Sequence, residues 1–209
     1  MWKQKTGLFV TFLLIVATVQ VNAKGSKDNG EWELARETGD ISIYYRWILN
    51  DTIKTREMRA QFVIDANITQ ILSQFSEPEN YYSWAVGIKE CEIKKFDENN
   101  WVTYTLMNYP WPFKQKDLVT RHLVRISENE TVVSIYAEPG FFAEKEGIER
   151  MQNYLGEWKF NTNKSGSTAV DYRVVSFTKP IFPRFIQDPV IQKLFIDSFQ
   201  DLKQLAEAK

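Results

Sequence analysis

One helical stripe closes a chain otherwise patterned for strands, and that combination narrows the possible folds sharply. Ile191, Leu194, Phe195, Phe199, Leu202, Leu205 and Ala206 recur at helical spacing near the end of the chain. Asp188-Pro189 reads as a capping residue followed by proline at the first helical position, which starts the long helix there. Pro180 and Pro183 mark a preceding turn of helix around Phe185. A stripe of this kind needs a partner surface, and the residues before it supply a sheet.

Ile88 to Phe96, Trp101 to Met107, Leu118 to Ile126 and Thr131 to Ala137 alternate as strands, with turns at residues 97–100 and 127–130. Along Trp101 to Met107, the residues Val102, Tyr104 and Leu106 share one face. Glu138 to Gly147 is an irregular connector. Ile148 to Asn161 and Thr168 to Phe177 form a last hairpin across Lys164-Ser165-Gly166. Upstream, Glu31 to Thr38 reads as a short helix ended by Gly39. Ile41 to Trp47 is a strand with a bulky face. Thr52 to Ile64 is extended, as one strand or as two joined near Glu57. Asn67 to Phe75 is a helix that Asp65 or Asn67 can cap, and Tyr81 to Val86 is a shorter one. The pattern is α+β: a curved, mostly antiparallel sheet with helices on one side, and space enclosed between them.

The first 23 residues read as an export signal. Lys3 and Lys5 precede an apolar run from Gly7 to Val21, and Val21-Asn22-Ala23 offers small residues for cleavage. That run is short against the ~20 residues of a membrane-spanning helix. Residues 24–30 form a flexible polar leader, and residues 31–209 one domain. Losing Lys3 and Lys5 leaves 24 basic against 27 acidic residues, a net charge of −3, which gives no footprint for nucleic acid. Cys91 is the one cysteine, so the exported domain, periplasmic or secreted, holds together through its core without an internal disulfide.

Reactive motifs are absent. His122 is the one histidine, no serine sits in a Gly-x-Ser-x-Gly elbow, and no phosphate-cradling glycine motif occurs. Cys91 with His122 would leave a zinc site two ligands short. No catalytic residue, metal or cofactor is therefore expected. His122 alternates with Leu118, Thr120, Val124 and Ile126, which turns it to the apolar side of its strand. It is either a core histidine satisfied by one hydrogen bond or a polar anchor for a ligand head. Phe141-Phe142 either touches a membrane or tucks under its connector.

Tyr109-Pro110-Trp111-Pro112-Phe113 interrupts the strands. Two prolines stiffen the backbone and hold Trp111 out on a loop, where it can cap an apolar cavity. This Pro-Trp-Pro, followed by Lys116-Asp117 where a family commonly has Arg-Asp, resembles the START (steroidogenic acute regulatory-related lipid-transfer) family. Trp84, the order Gly156-x-Trp158, Gly166-x-Thr168 and Tyr172, and the order of elements from Glu31 to Ala206 carry the same resemblance. The paired glycines that the family has before its last helix are missing; Thr178 to Pro183 stands there instead.

The resemblance implies a helix-grip fold and a monomer that binds one lipid or other hydrophobic small molecule, touching membranes transiently. It also implies a charged pair inside the cavity, for which Arg121 or Lys116 with Asp117 or Asp171 are candidates. The expected ligand-binding residues are Trp84, Tyr104, Leu106, Trp111, His122, Tyr172, Phe195 and Phe199, around a cavity of roughly 300–1,000 Å³. Trp111 should face Leu194, Phe195 and Phe199 across the mouth. The rival expectation is an enzyme of the polyketide cyclase or hydrolase type, with Tyr104, His122 and Arg121 as acid, base or anion clamp. A third is an interaction module with a filled core.

Overall fold

Alternating side chains along consecutive hairpins build one strongly curved sheet. The computed structural model describes residues 30–50, 53–108, 114–177 and 183–208. In chain order the elements are β1 (Glu33–Thr38), β2 (Ile41–Asn50), β3 (Ile53–Ile64), α1 (Ile68–Leu72), α2 (Pro78–Trp84), β4 (Ile88–Asp97), β5 (Asn100–Met107), β6 (Lys116–Ile126), β7 (Thr131–Ala137), β8 (Glu149–Met151), β9 (Tyr154–Thr162), β10 (Thr168–Ser176) and α3 (Arg184–Glu207). The sheet order is β1-β2-β3-β10-β9-β7-β6-β5-β4, with β8 added to β6 in parallel. All other pairings are antiparallel. The sheet wraps α3, which is the helix-grip arrangement.

The C-terminal half of α3 fills the trough. Ile196, Phe199, Leu202 and Ala206 pack against Ile43, Ala60, Phe62 and Val170 of the sheet. Phe62 and Phe199 stack with ring centroids 4.8 Å apart. Short helices α1 and α2 cover the same end through Ile71, Phe75 and Trp84. Asn67 caps α1 in a reciprocal box: its side chain accepts from Gln70 N at 3.1 Å, and the Gln70 side chain accepts from Asn67 N at 3.1 Å. The α2–β4 junction is tied to α3, because Val86 N donates to Ser198 Oγ at 2.9 Å. Gly87 (φ 81°) passes so close to Leu194 that an added Cβ would meet its Cδ2 at 3.3 Å.

Three local expectations are corrected and one open alternative is settled. Glu33–Thr38 is an edge strand, not a helix. Gly39 (φ 61°) closes a two-residue hairpin instead of ending a helix, a use that positive φ serves equally well. Residues 53–64 form one strand without a break at Glu57. Residues 148–161 form two strands, because the chain leaves β6 at Met151 and joins β7 from Tyr154. Finally, α3 begins at Arg184, so Pro189 lies inside the helix and Asp188 is not its cap. The Asp188 carboxylate instead accepts from Arg56 at 2.5 Å, which removes it from the capping role.

Candidate functional site

Where the C-terminal half of α3 fills the trough, its N-terminal half leaves a gap. A cavity of about 350 Å³ lies there, between α3, the junction after α2, and the inward faces of β3, β5, β6, β9 and β10. Strand β6 shows how the wall is made. Lys116, Leu118, Thr120 and His122 are successive inward residues, so they line it over about 20 Å, at ~3.3 Å per residue. Trp84, Tyr172, Phe195 and Phe199 also line it. Tyr172 stacks on Trp158 at 4.1 Å, and its hydroxyl bonds that of Tyr154 at 2.9 Å. Burial pushes both phenols, and that of Tyr81, upward, so they remain protonated hydrogen-bonding groups. Trp84 spends its indole N–H on Gln74 O at 2.8 Å and offers the cavity only an apolar face.

His122 is fully buried. Its Nε2 bonds Thr120 Oγ1 at 3.0 Å, its ring stacks on Trp101 at 5.1 Å, and Nδ1 has no partner among the described residues. Burial pulls its pKa down to about 3, so the ring is neutral and a poor base at ordinary pH. The Cys91 thiol is pushed up by burial to about 11 and stays protonated. Among the described residues no group of His, Cys, Asp or Glu is placed to hold a metal ion, and no helix is long and apolar enough to cross a membrane.

Two expected wall residues are elsewhere. Tyr104 and Leu106 face the convex side, in a second small core with Val102 and Val119 under Phe142 and Ile148. The register explains it: Tyr104 lies opposite Val119, whereas Thr103 lies opposite Thr120 and Trp101 opposite His122. Residues paired across strands share a face. Both faces of β5 are buried because residues 138–148 cover the outer one, so apolar content alone could not tell which face was inward. Trp111 lies outside the described residues, and so does the lid expected of it.

The charged groups also sort differently. Arg121 points outward and pairs with Glu138 at 2.7 Å, and Asp171 pairs with Arg59 and Arg173. Asp117 forms a buried two-pronged pair with Arg150, at 3.0 and 2.7 Å, on the convex side. Lys116 does line the cavity, near Glu149 at 2.7 Å. Arg56, Arg184 and Asp188 form a cavity ion cluster that the sequence reading missed. Its one available signal was Arg56 falling in phase with Met58, Ala60 and Phe62 on β3. Phe141-Phe142 is divided: Phe142 packs on Tyr104 at 5.9 Å, while Phe141 stays partly exposed against Phe96 at 5.8 Å.

No family model matches the chain. An uncharacterized protein of Pseudomonas aeruginosa is 21% identical over 198 residues, covering 94% of this chain and 97% of that one. Among solved structures, a STAR-related lipid transfer protein of Xanthomonas axonopodis superposes with a TM-score of 0.74 at 17% identity, over 84% of this chain and 98% of that chain. Human StAR-related lipid transfer protein 5 does so with 0.68 at 14% identity, over 87% and 88%. The Zhui aromatase/cyclase of a Streptomyces species follows at 0.51 and 12% identity, over 73% and 93%. The fold of this chain is therefore that of START domains.

Proposed function

We propose that this chain is an exported carrier that takes one hydrophobic small molecule of the lipid class into the cavity beside α3 and exchanges it with membranes. The observation that carries the reading is the cavity itself. It is walled by aromatic and aliphatic side chains, opens beside one half of a helix whose other half is firmly packed, and sits on a fold shared with lipid transfer proteins. Such walls replace the bilayer around a ligand at ~0.8 kcal/mol per buried methylene, and the Tyr154–Tyr172 hydroxyls with His122 supply a few polar contacts. Residues 1–23 direct export, and the chain works as a monomer. Loosening of the N-terminal half of α3 opens the mouth.

The cyclase reading loses its candidate machinery. Tyr104 and Arg121 lie on the opposite face of the sheet from His122, so the three cannot act on one substrate. Native mass spectrometry of gently purified protein tests the carrier reading: a retained hydrophobic mass is expected. Absence of any such mass, together with no ligand exchange with liposomes, would refute it. N-terminal sequencing of exported protein should begin at Lys24.

A further inference from the structure

The cavity is apolar along its length but cationic at its mouth. Arg56 and Arg184 both reach it and share a single carboxylate, Asp188, at 2.5 and 3.8 Å. Both guanidiniums are mostly buried, with side-chain exposures of 28% and 25%. They lie against the Trp47 ring, each 5.0 Å from its centroid, so their alternatives to water are aromatic faces and Asp188. Lys116 and Lys114 line the same cavity from β6 and the residues before it. The Lys116 ammonium is nearly buried, while its partner Glu149 is half exposed and so is screened by water. Among the described residues, Asp188 and Glu149 are the carboxylates paired with these cations. The positive end of the α3 dipole adds to the same side, and its first turn holds no acid.

Among the described residues, three part-buried cations, with the exposed Lys114 beside them, face two carboxylates, an unbalanced set in a partly dry site. Burial is the main reason the Arg184 pKa is lowered, and the neighbouring Arg56 adds to it. Burying unpaired charge is costly, and a bound anion would relieve that cost. Guanidiniums present forked donors matched to carboxylate or phosphate oxygens.

We infer that the occupant of this cavity is a single-chain amphiphile with an oxyanion head, a carboxylate or a phosphate monoester, held by Arg56, Arg184 and Lys116 at the mouth while its chain runs toward His122. This rests on the carrier reading above and narrows its ligand class. Size permits it: a cavity of about 350 Å³ falls in the range of small-molecule sites and has room for one alkyl chain.

The test compares dodecanoate and dodecyl phosphate with dodecanol, each displacing a neutral fluorescent probe from the full exported chain. Acetate and inorganic phosphate serve as head-only controls. The charged amphiphiles are expected to bind about tenfold or more tighter than the alcohol. Arg184→Gln and Lys116→Gln should each erode that preference several-fold, weakening the charged amphiphiles more than dodecanol. Arg184 is the safer variant, since Asp188 keeps Arg56. Equal binding of acid and alcohol would overturn the oxyanion head and leave the carrier reading standing. No binding by any of the three would overturn both. Competition by acetate or phosphate as strong as that of the amphiphiles would show a free-anion site and overturn the amphiphile assignment.

Discussion

His122 carries a pH signature. In the native state burial holds its pKa at about 3, whereas the ordinary value is 6.5. Between those values the unfolded chain binds the extra proton and the native chain does not. Stability from this group is thus full above pH 6.5 and declines as pH falls toward 3, by at most about 1.4 kcal/mol per unit. Urea melts at pH 7 and pH 4.5 should show a steeper acid loss for the wild type than for His122→Leu, although the variant also leaves Thr120 without its ring partner. Parallel losses in the two proteins would mean that His122 is hydrated and titrates in the native state. Burial lowers the pKa, and Nδ1 has no hydrogen-bond partner among the described residues.

At the scale of elements, the convex side of the sheet is fastened by a fully buried ion pair. Arg150 of β8 grips Asp117 of β6 and also donates to the carbonyl oxygens of Pro139 and Ala143, each at 2.9 Å, and of Phe142 at 2.5 Å. It pins the 138–148 connector over Tyr104 and Val119. Asp117→Ala leaves a buried guanidinium without its anion and should cost about 3–5 kcal/mol in a denaturant melt. Replacing both partners with apolar residues should recover much of that loss. A cost below about 1 kcal/mol for Asp117→Ala would place the pair in water, against its near-complete burial.

For the whole molecule, stability is divided along α3. Leu202 and Ala206 are packed in the core, Phe199 belongs to both core and cavity wall, and residues from Arg184 to Phe195 supply most of the rest of the cavity lining from α3. A ligand that binds only the folded state stabilises it by about 2.7 kcal/mol at a hundred times its Kd. The gain should be local. Hydrogen exchange should slow on ligand addition in residues 184–195, in β6 near Lys116–Thr120, and around Gly87, with little change at Leu202–Ala206. Uniform protection along α3 would instead mean that the helix opens as one unit.

The sequence by itself determined most of the strands, the terminal helix and the class of fold, because side-chain alternation and helical spacing are local signals and each element obeys them. Strand phase marked His122 and Tyr172, the helical stripe marked Phe195 and Phe199, and the resemblance marked Trp84, and all five line the cavity. The tertiary structure decided what phase cannot. Tyr104 and Leu106 are as apolar as any wall residue, yet they face outward, because the 138–148 connector buries a second face. Asp117 found Arg150, Asp188 found Arg56 and Arg184, and Glu33–Thr38 became an edge strand, all through partners distant in the chain. Pairing between such residues depends on register and distance in space, and a linear pattern records neither.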